Sequence, residues 1–482
     1  MHRFYSFVQH ISVSAAFLAI LLLPSCGNGK EKASGREALK QPRDWKEIKE
    51  EGVLRAITNY SGTSYFLYKG RPMGFEYELL ERLADYLDVR LEIVLAENID
   101  SIIPMLERGE GDIIAFGLTI TEERKKRIDF TDYLYLTRQV LVQRKPPNWR
   151  RLKRHQIDAS LIQDPVELIN DTVALRLTTS YYERLKNLQS EIGGVIYIDT
   201  MAGDLSAEKL IQSVVDGDIK YTIVDDNIAA INAAYHPILD VSTPVSFSQR
   251  IAWGIRPSSP NLRDTLNGWI AQARKDVDYR VIYNKYFKNK RAFRSRVKSE
   301  FYSLNEQRIS PYDELIKENA ERIGWDWRLL AAQIYQESQF DPEATSWAGA
   351  AGLLQLMKGT ASDLDVENRL DPEENLRGGA DYMSQLYHNF DEVTDSIQRV
   401  KFALASFNCG YYHVLDAQRL AEKKDLDPKI WDENVAAMIL ELSFPRNYND
   451  EVVKYGYVKG VEPFTYVEEI TERYEHYKMF VD

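Results

Sequence analysis

The chain is 482 residues long, enough for about three compact domains. Its 44% hydrophobic and 28% charged residues exclude a disordered chain, a collagen-like chain and a multi-span membrane protein. Two cysteines, Cys26 and Cys409, exclude a disulfide framework. Seven histidines without an HxxxH or HExxH pair argue against a metal site, and no residue pattern calls for a cofactor. The net charge of −12 is uneven: residues 306–482 carry 34 acidic and 18 basic side chains, which leaves the first 305 residues at +4. An acidic second half argues against a nucleic acid partner, because phosphate binding needs basic surface.

Met1 to Gln9 holds one firm positive charge, Arg3, and Ile11 to Leu23 is apolar but for Ser12 and Ser14. A membrane span needs about 20 residues, so this shorter run reads as a signal peptide over residues 1–25. It ends Leu23-Pro24-Ser25-Cys26-Gly27, which resembles a bacterial lipobox with proline in place of the usual small residue. The resemblance implies cleavage before Cys26, transfer of diacylglycerol to its thiol, and a membrane anchor with residues 26–45 as a polar tether. No aspartate follows Cys26, so nothing signals retention at the inner membrane, and the expected address is the periplasmic face of the outer membrane. A plain signal peptide followed by an inert cysteine is the alternative.

Residues 46–287 alternate strand and helix. Strand candidates are 53–57, 91–95 and 112–117, and Phe75, Leu79, Leu80, Leu83 and Leu87 recur at helical spacing. This order predicts an α/β layer with a parallel sheet, whose ligands sit beyond the carboxyl ends of the strands. The strand ending at Gly117 runs into Thr119-Ile120-Thr121-Glu122-Glu123-Arg124, where Thr121 is a candidate N-cap. Arg124 in a first helical turn is poorly placed for the helix dipole. Either its guanidinium grips a carboxylate, or it is an exposed arginine beside Lys125, Lys126 and Arg127.

Gly52-Val53-Leu54-Arg55, Gly74 to Leu80, Gly109 to Asp112 and Thr119 to Asp132, in this order, resemble the family 3 solute-binding proteins, the amino-acid receptors of importers. Gly217-Asp218 before the strand Tyr221 to Val224, which ends at Asp225, fits the second lobe. The resemblance implies a two-lobed periplasmic-binding-protein-like fold. In it Arg124 holds a ligand carboxylate, Asp225 holds an ammonium, and Gly117 and Thr119 touch the ligand, an amino acid or a muropeptide. Leu177 stands where the family has glycine and is expected to crowd the ligand's approach. Lobe crossings are expected near 143–147 and 241–244. Residues 288–305 form a basic linker, expected to be a solvated helix or tether, or to contact anionic headgroups or the acidic second half.

Residues 306–482 read as mainly helical. Trp327, Leu330, Ala331 and Ile334 form an apolar stripe behind Asp326, and its continuation lands on Glu337. Asp341-Pro342 ends the helix soon after. Burial and the negative helix end both raise a carboxyl's pKa, which suits a general acid. A solvent-turned glutamate is the alternative. The next run, Ala344 to Met357, is rich in small residues, as a cleft wall needs. It holds no Asp or Glu, so no second carboxylate stands in this run beside Glu337.

Glu337-Ser338-x-Phe340-x-Pro342, then Gly349-Ala350-x-Gly352-Leu353-x-Gln355-Leu356-Met357, resemble the family 1 lytic transglycosylases, with their goose-type lysozyme-like fold. Leu370 to Met383, Ala403 to Gly410 and Glu462 to Ile470 continue the likeness in order. The resemblance implies that Glu337 is the sole catalytic acid/base. It implies that Ser338 and Gln355 contact substrate or the acid, and that Asn408 and Tyr466 line the cleft, with the Tyr466 hydroxyl orienting Glu337. Helix packing is the alternative for each of these four. The implied reaction cleaves the MurNAc-β-1,4-GlcNAc bond of peptidoglycan without water, leaving 1,6-anhydroMurNAc ends. Cys409 reads as a small packing residue. A solute receptor with an inactive or merely wall-binding second half is the competing reading.

Overall fold

The computed structural model describes residues 43–481, except 178, 202–204 and 304–307. The expected signal peptide, Cys26, nearly all of the tether and Thr178 lie outside the described residues. Ordered structure begins before residue 46: the buried Arg43 donates to the Val53 carbonyl at 2.9 Å. Asp44 then caps the helix Trp45–Glu51 in a capping box with Glu47.

In chain order the first lobe supplies strands β1 (Val53–Asn59), β2 (Phe66–Tyr68), β3 (Arg71–Met73), β4 (Arg90–Ala96), β5 (Ile113–Thr119), β6 (Asp129–Phe130) and β7 (Tyr135–Thr137). The second lobe supplies β8 (Gln139–Arg144), β9 (Thr172–Arg176), β10 (Tyr197–Met201), β11 (Tyr221–Asp225) and β12 (Leu239–Asp240), and β13 (Gln249–Ile255) returns to the first. The first sheet has the order β4-β1-β5-β13-β6 with β7 also on β13, and the second the order β10-β9-β11-β8-β12. β1 runs parallel to β4 and β5, as the alternation predicts. Both sheets are nevertheless mixed, because β13 and β8, the strands entered directly from the other lobe, run antiparallel to their neighbours.

The lobe crossings differ from expectation. β7 and β8 are separated by Arg138 alone, and the return falls between the Val140–Pro244 bridge and β13. The extended run 135–144 passes from sheet to sheet without a turn, so no Pro or Gly marks the first crossing. The Pro146-Pro147 break comes after β8 has ended. Gln139 holds the hinge: its N–H donates to Ser246 Oγ at 2.9 Å, and its amide reaches Gln249 at 3.1 Å. Phe247, on the return crossing, is 91% exposed.

The third domain is helical. Its core gathers Phe390, Phe402 and Trp431, with ring centroids 5.1 and 5.6 Å apart, beneath Val467 and Ile470 of the C-terminal helix Val461–Phe480. The expected tether over 288–305 is instead part of the packing. Helix Lys290–Val297 buries Phe293 and Arg296, and Tyr302 forms a β-bridge to Tyr68. An apolar residue at 293 and aromatics at 301 and 302 outweigh the basic composition that suggested solvent.

The helical domain is seated on the β2–β3 hairpin of the first lobe. Tyr477 Oη donates to the Gly70 carbonyl at 2.9 Å, and Phe480 lies 4.5 Å from Tyr60 and 5.4 Å from Tyr65, ring to ring. Such ring pairs contribute about 0.5–1.5 kcal/mol each beyond their buried area. Gly70 has φ +71°, and a β-carbon there would stand 2.7 Å from the Phe340 ring and 2.8 Å from Tyr477 Oη. Gly70→Ala should therefore cost about 1–2 kcal/mol in backbone alone, and more through displacement of Phe340. A lower melting temperature and faster proteolytic separation of the domains are expected; an unchanged melting curve would show that the hairpin is not a close-packed seat.

Candidate active site and ligand pocket

Asp326 caps the helix Trp327–Ser338 by accepting from the Arg328 N–H, and Gln339 ends it in the left-handed region at φ +52°. Glu337 thus sits in the last turn, as the stripe and the Asp-Pro break predict. It is partly exposed. Burial pushes its carboxyl up to about 7, opposed by the hydrogen bond from Tyr466. The Tyr466 hydroxyl donates to Glu337 Oε1 at 2.5 Å and accepts from Gln333 Nε2 at 3.3 Å. Gln333, one turn before Glu337, is fully buried and also reaches Met383 Sδ at 3.2 Å. The site is a carboxyl that can hold a proton near neutral pH, aimed by a two-step relay from the helix interior.

The run 344–357 folds back on itself through bridges Thr345–Ala351 and Ala351–Leu356. Gly352 has φ +83°, and a β-carbon there would lie 2.0 Å from the Arg369 carbonyl oxygen. Asn375, fully buried, holds the loop: its Oδ1 accepts from Leu354 N–H at 2.8 Å and its Nδ2 donates to Ala351 and Arg369 carbonyls. Gln355, at φ +45°, donates to the Ala344 and Gly352 carbonyls at 2.9 and 2.8 Å. Trp347 stands fully exposed on the same loop.

Of the expected set, the structure joins Glu337 and Tyr466 directly. Ser338 is buried and donates back to the Ile334 carbonyl at 3.2 Å, so its hydroxyl faces its own helix rather than the acid. Gln355 braces the loop, and Asn408 is exposed at the end of helix Ser396–Cys409. Burial pushes the Cys409 thiol up to about 12, so it stays protonated, in keeping with a packing role.

A second pocket lies between the lobes, and Gly117, Thr119, Arg124 and Asp225 all line it. Thr121 caps the helix Glu122–Lys125, and Arg124 turns back so that Nη1 donates to the Thr119 carbonyl at 3.0 Å. Burial pushes Asp225 up to about 7, against the Tyr181 hydrogen bond and the Arg124 charge. Arg176, Glu76 and Glu208 join them. Glu76 is pushed up to about 8 by burial. One carboxyl oxygen each of Glu76, Glu208 and Asp225 is buried without a hydrogen-bond partner. The lobes touch across the pocket: Ser180 Oγ donates to Thr119 Oγ1 at 3.3 Å and Gly62 N–H to Glu208 at 3.2 Å. Leu177 does not crowd the pocket; it is 54% exposed, and Arg176, Thr179 and Ser180 form the wall instead.

Residues 54–289 match bacterial extracellular solute-binding proteins, family 3, and residues 314–430 match the transglycosylase SLT domain. The membrane-bound lytic murein transglycosylase F of Desulfosudis oleivorans is 35% identical over 431 residues, covering 89% of this chain and 91% of its own length. The protein of that name from Stutzerimonas stutzeri is 33% identical over 441 residues, covering 90% and 86%. The chain belongs to the membrane-bound lytic murein transglycosylase F family. A crystal structure of an ancestral amino-acid-binding protein, a precursor of cyclohexadienyl dehydratase, is 30% identical and covers 50% of this chain and 98% of its own, with a TM-score of 0.42.

This member of the transglycosylase F family is thus an enzyme with an N-terminal solute-binding domain. Sequence reasoning missed Gln333 and Asn375 at one site and Glu76, Arg176 and Glu208 at the other. Gln333 had a readable signal, four residues before Glu337 on the same helix. Glu76 had another, as a carboxylate beside Phe75 on a helix whose inner face is apolar.

The raised carboxyl has a consequence for stability. Between its ordinary value of 4.5 and about 7, folded Glu337 keeps a proton that the unfolded chain releases. Its contribution to stability therefore falls as pH rises through that window. Glu337→Gln should melt with wild type near pH 4 and above it at pH 8; equal melting temperatures at both would show an unburied carboxyl. Tyr466→Phe removes a bond to the charged form, so the alkaline limb of the pH–rate profile should move upward.

Proposed function

We propose that Glu337 acts first as general acid and then as general base in the non-hydrolytic cleavage of the MurNAc-β-1,4-GlcNAc bond of peptidoglycan. The observation that carries this reading is the partly buried Glu337 carboxyl, raised to about 7 and held at 2.5 Å by Tyr466. Protonated Glu337 gives its proton to the leaving oxygen. The MurNAc acetamide stabilises the cation at C1. The carboxylate then takes the proton of the C6 hydroxyl, whose oxygen closes on C1. No water enters, and no second carboxylate is required. The exposed Trp347 indole offers a sugar ring an apolar face. A receptor with an inactive helical domain is not favoured, since the acid and its aiming hydroxyl are both in place.

The relatives are named as membrane-bound murein enzymes, which supports a membrane-associated, periplasmic place and the wall as substrate. The lipobox-like run before Cys26 supports the finer address, a lipid anchor at the outer membrane. The two-lobed domain regulates the enzyme by binding a zwitterion, an amino acid or a wall peptide. Arg124 takes its carboxylate from one lobe and Asp225 its ammonium from the other, so the ligand draws the lobes together. Glu76 and Glu208 line the same pocket as further acidic side chains.

Glu337→Gln keeps the shape and removes the transferable proton. General acid–base catalysis is worth about 10²–10⁴-fold, and one group serving both half-reactions puts the expected loss at or above the upper end. Mass spectrometry of products from purified sacculi should show anhydro ends about 18 Da, one water, below hydrolysed ends. Reducing ends alone would make the enzyme a hydrolase, and a fully active Gln variant would remove Glu337 from the reaction. For the receptor domain, a screen of amino acids and wall peptides followed by calorimetry should give a ligand whose affinity falls about 30-fold or more in Arg124→Ala. Unchanged affinity would remove the carboxylate assignment.

A further inference from the structure

Tyrosine rings stand exposed at the end of the helical domain that carries the acid. The rings of Tyr412 and Tyr455 stack, with centroids 4.5 Å apart and planes 22° from parallel. Tyr457 follows two residues later, edge-on to Tyr448 at 5.7 Å. Tyr412, Tyr455 and Tyr457 are each 50–56% exposed. Their place relative to Glu337 follows from the helices. The acid helix and the C-terminal helix run antiparallel, since Asp326 faces Tyr474 and Glu337 faces Tyr466. Past Tyr466 the C-terminal helix continues back to Val461, about 7–8 Å along its axis, and residues 455–460 lie beyond it. Tyr412 comes to the same end from another element. Phe407, near the end of helix Ser396–Cys409, packs on the cluster that holds Leu356 of the 344–357 loop. Gly410 then leads the chain into helix Tyr411–Lys423.

A buried polar framework holds these rings outward. Asp416, fully buried, accepts the Lys454 N–H at 2.7 Å through one oxygen and the Tyr455 N–H at 2.6 Å through the other. Arg419 pairs with the same carboxylate and donates to the Val452 carbonyl at 2.9 Å. Gly456, at φ +80°, makes the turn between Tyr455 and Tyr457. Ser443 Oγ closes the loop by accepting the Gly460 N–H at 2.9 Å. Burying a charge pair carries a desolvation cost, yet here it fixes a segment whose rings point to water. A contiguous apolar surface left in water marks a binding surface. Tyrosine offers such surface with little rotamer entropy to lose, and a hydroxyl besides. The substrate fits it. A β-1,4-linked glycan is a ribbon of pyranose rings whose C–H groups make flat apolar faces, and the negative face of an aromatic ring attracts them. The strand extends on both sides of the bond presented to Glu337, and the tyrosines stand beside that end of the domain.

We propose that Tyr412, Tyr455 and Tyr457 form a remote glycan subsite, which holds the peptidoglycan strand several sugars from the scissile bond and favours long strands over short ones. This rests on the reading of Glu337 as the acid that cleaves that strand. Two measurements on the full chain test it. Cosedimentation with intact sacculi reads binding without any need for cleavage. Replacing the three tyrosines by alanine should lower affinity for sacculi about tenfold or more, at roughly two- to tenfold per ring. Phenylalanine at the same positions keeps the ring faces and should stay within about twofold of wild type. The second measurement compares glycan strands free of stem peptides, a tetrasaccharide against long strands. Wild-type kcat/KM should rise with length, and the alanine variant should lose about tenfold of that rise, through KM rather than kcat. Equal sacculus affinity in the alanine variant, or the same length dependence in both proteins, would overturn the subsite. Should the triple variant not fold, Tyr457→Ala, outside the stacked pair, decides alone: unchanged affinity overturns the subsite. Ring-dependent sacculus binding by a wild type that cleaves neither length would support the subsite while removing the reading of Glu337.

Discussion

The hydrogen bond from Tyr466 to Glu337 lies on a seam between two helices whose register is also fixed by Gln333–Tyr466, Gln336–Glu469 and Arg473–Gln336 hydrogen bonds. One carries the acid in its last turn; the other is the C-terminal helix. Eleven residues beyond Tyr466, about 16 Å along the helix, the same rod meets the first lobe through Tyr477, and Phe480 follows against Tyr60 and Tyr65. The acid helix is referenced to the same place, because Phe340 and Tyr335 surround Gly70. Both partners of the Glu337–Tyr466 hydrogen bond are therefore held against one hairpin of the solute-binding domain. Tyr60 in turn lines the interlobe pocket. Glu337 and the interlobe pocket thus share a single packed frame rather than a flexible connection.

Buried carboxyls separate by how many partners they have. Asp112 is buried, yet it accepts from the Arg55 N–H and the Arg256 guanidinium and pairs with Arg43 at 3.5 Å. It is a structural acid, tying the start of the first domain to its sheet. Asp225 and Glu76 are buried to a similar degree and each keeps an oxygen without a partner. Glu337 has one bond and an open edge. Burial raises all four, so the shift alone does not mark function; what the remaining oxygen faces does.

Much of this is legible in the sequence. Periodicity placed the acid at the end of an apolar stripe, and Asp326 and the Asp-Pro pair bounded its helix, because caps and breakers act locally. β1, β4, β5 and β11 were legible as apolar runs between turn residues. The lobe crossings were not, since an extended chain changes sheets at Arg138 without altering its local conformation. The family resemblance gives Ser338 a contact with substrate or the acid, with helix packing as the alternative. In a helix, however, neighbours one apart point some 100° away from each other, and the free hydroxyl bonds back one turn. Leu177 failed for a related reason: a side chain's direction at a turn depends on tertiary context, and here it points to solvent.

Two buried arginines show where composition stops being informative. Arg256 and Arg296 are 8% and 4% exposed. Arg256 donates to the Gly111 carbonyl, to the Arg43 carbonyl at 3.1 Å and to Asp112 at 3.3 Å, so its charge is spent inside the fold. Arg296 has aromatic faces and no acceptor for Nε or Nη2. In sequence Arg256 is a single arginine after an apolar run, and the basic run around Arg296 reads as solvated surface. Only the three-dimensional count of acceptors distinguishes them. A buried cation left unsatisfied is costly, and it persists where packing around its stem outweighs that cost or where a ligand supplies the missing acceptor. Around Arg296 that packing comes from three rings whose faces attract the guanidinium, and its unpartnered Nε and Nη2 are closed off from solvent.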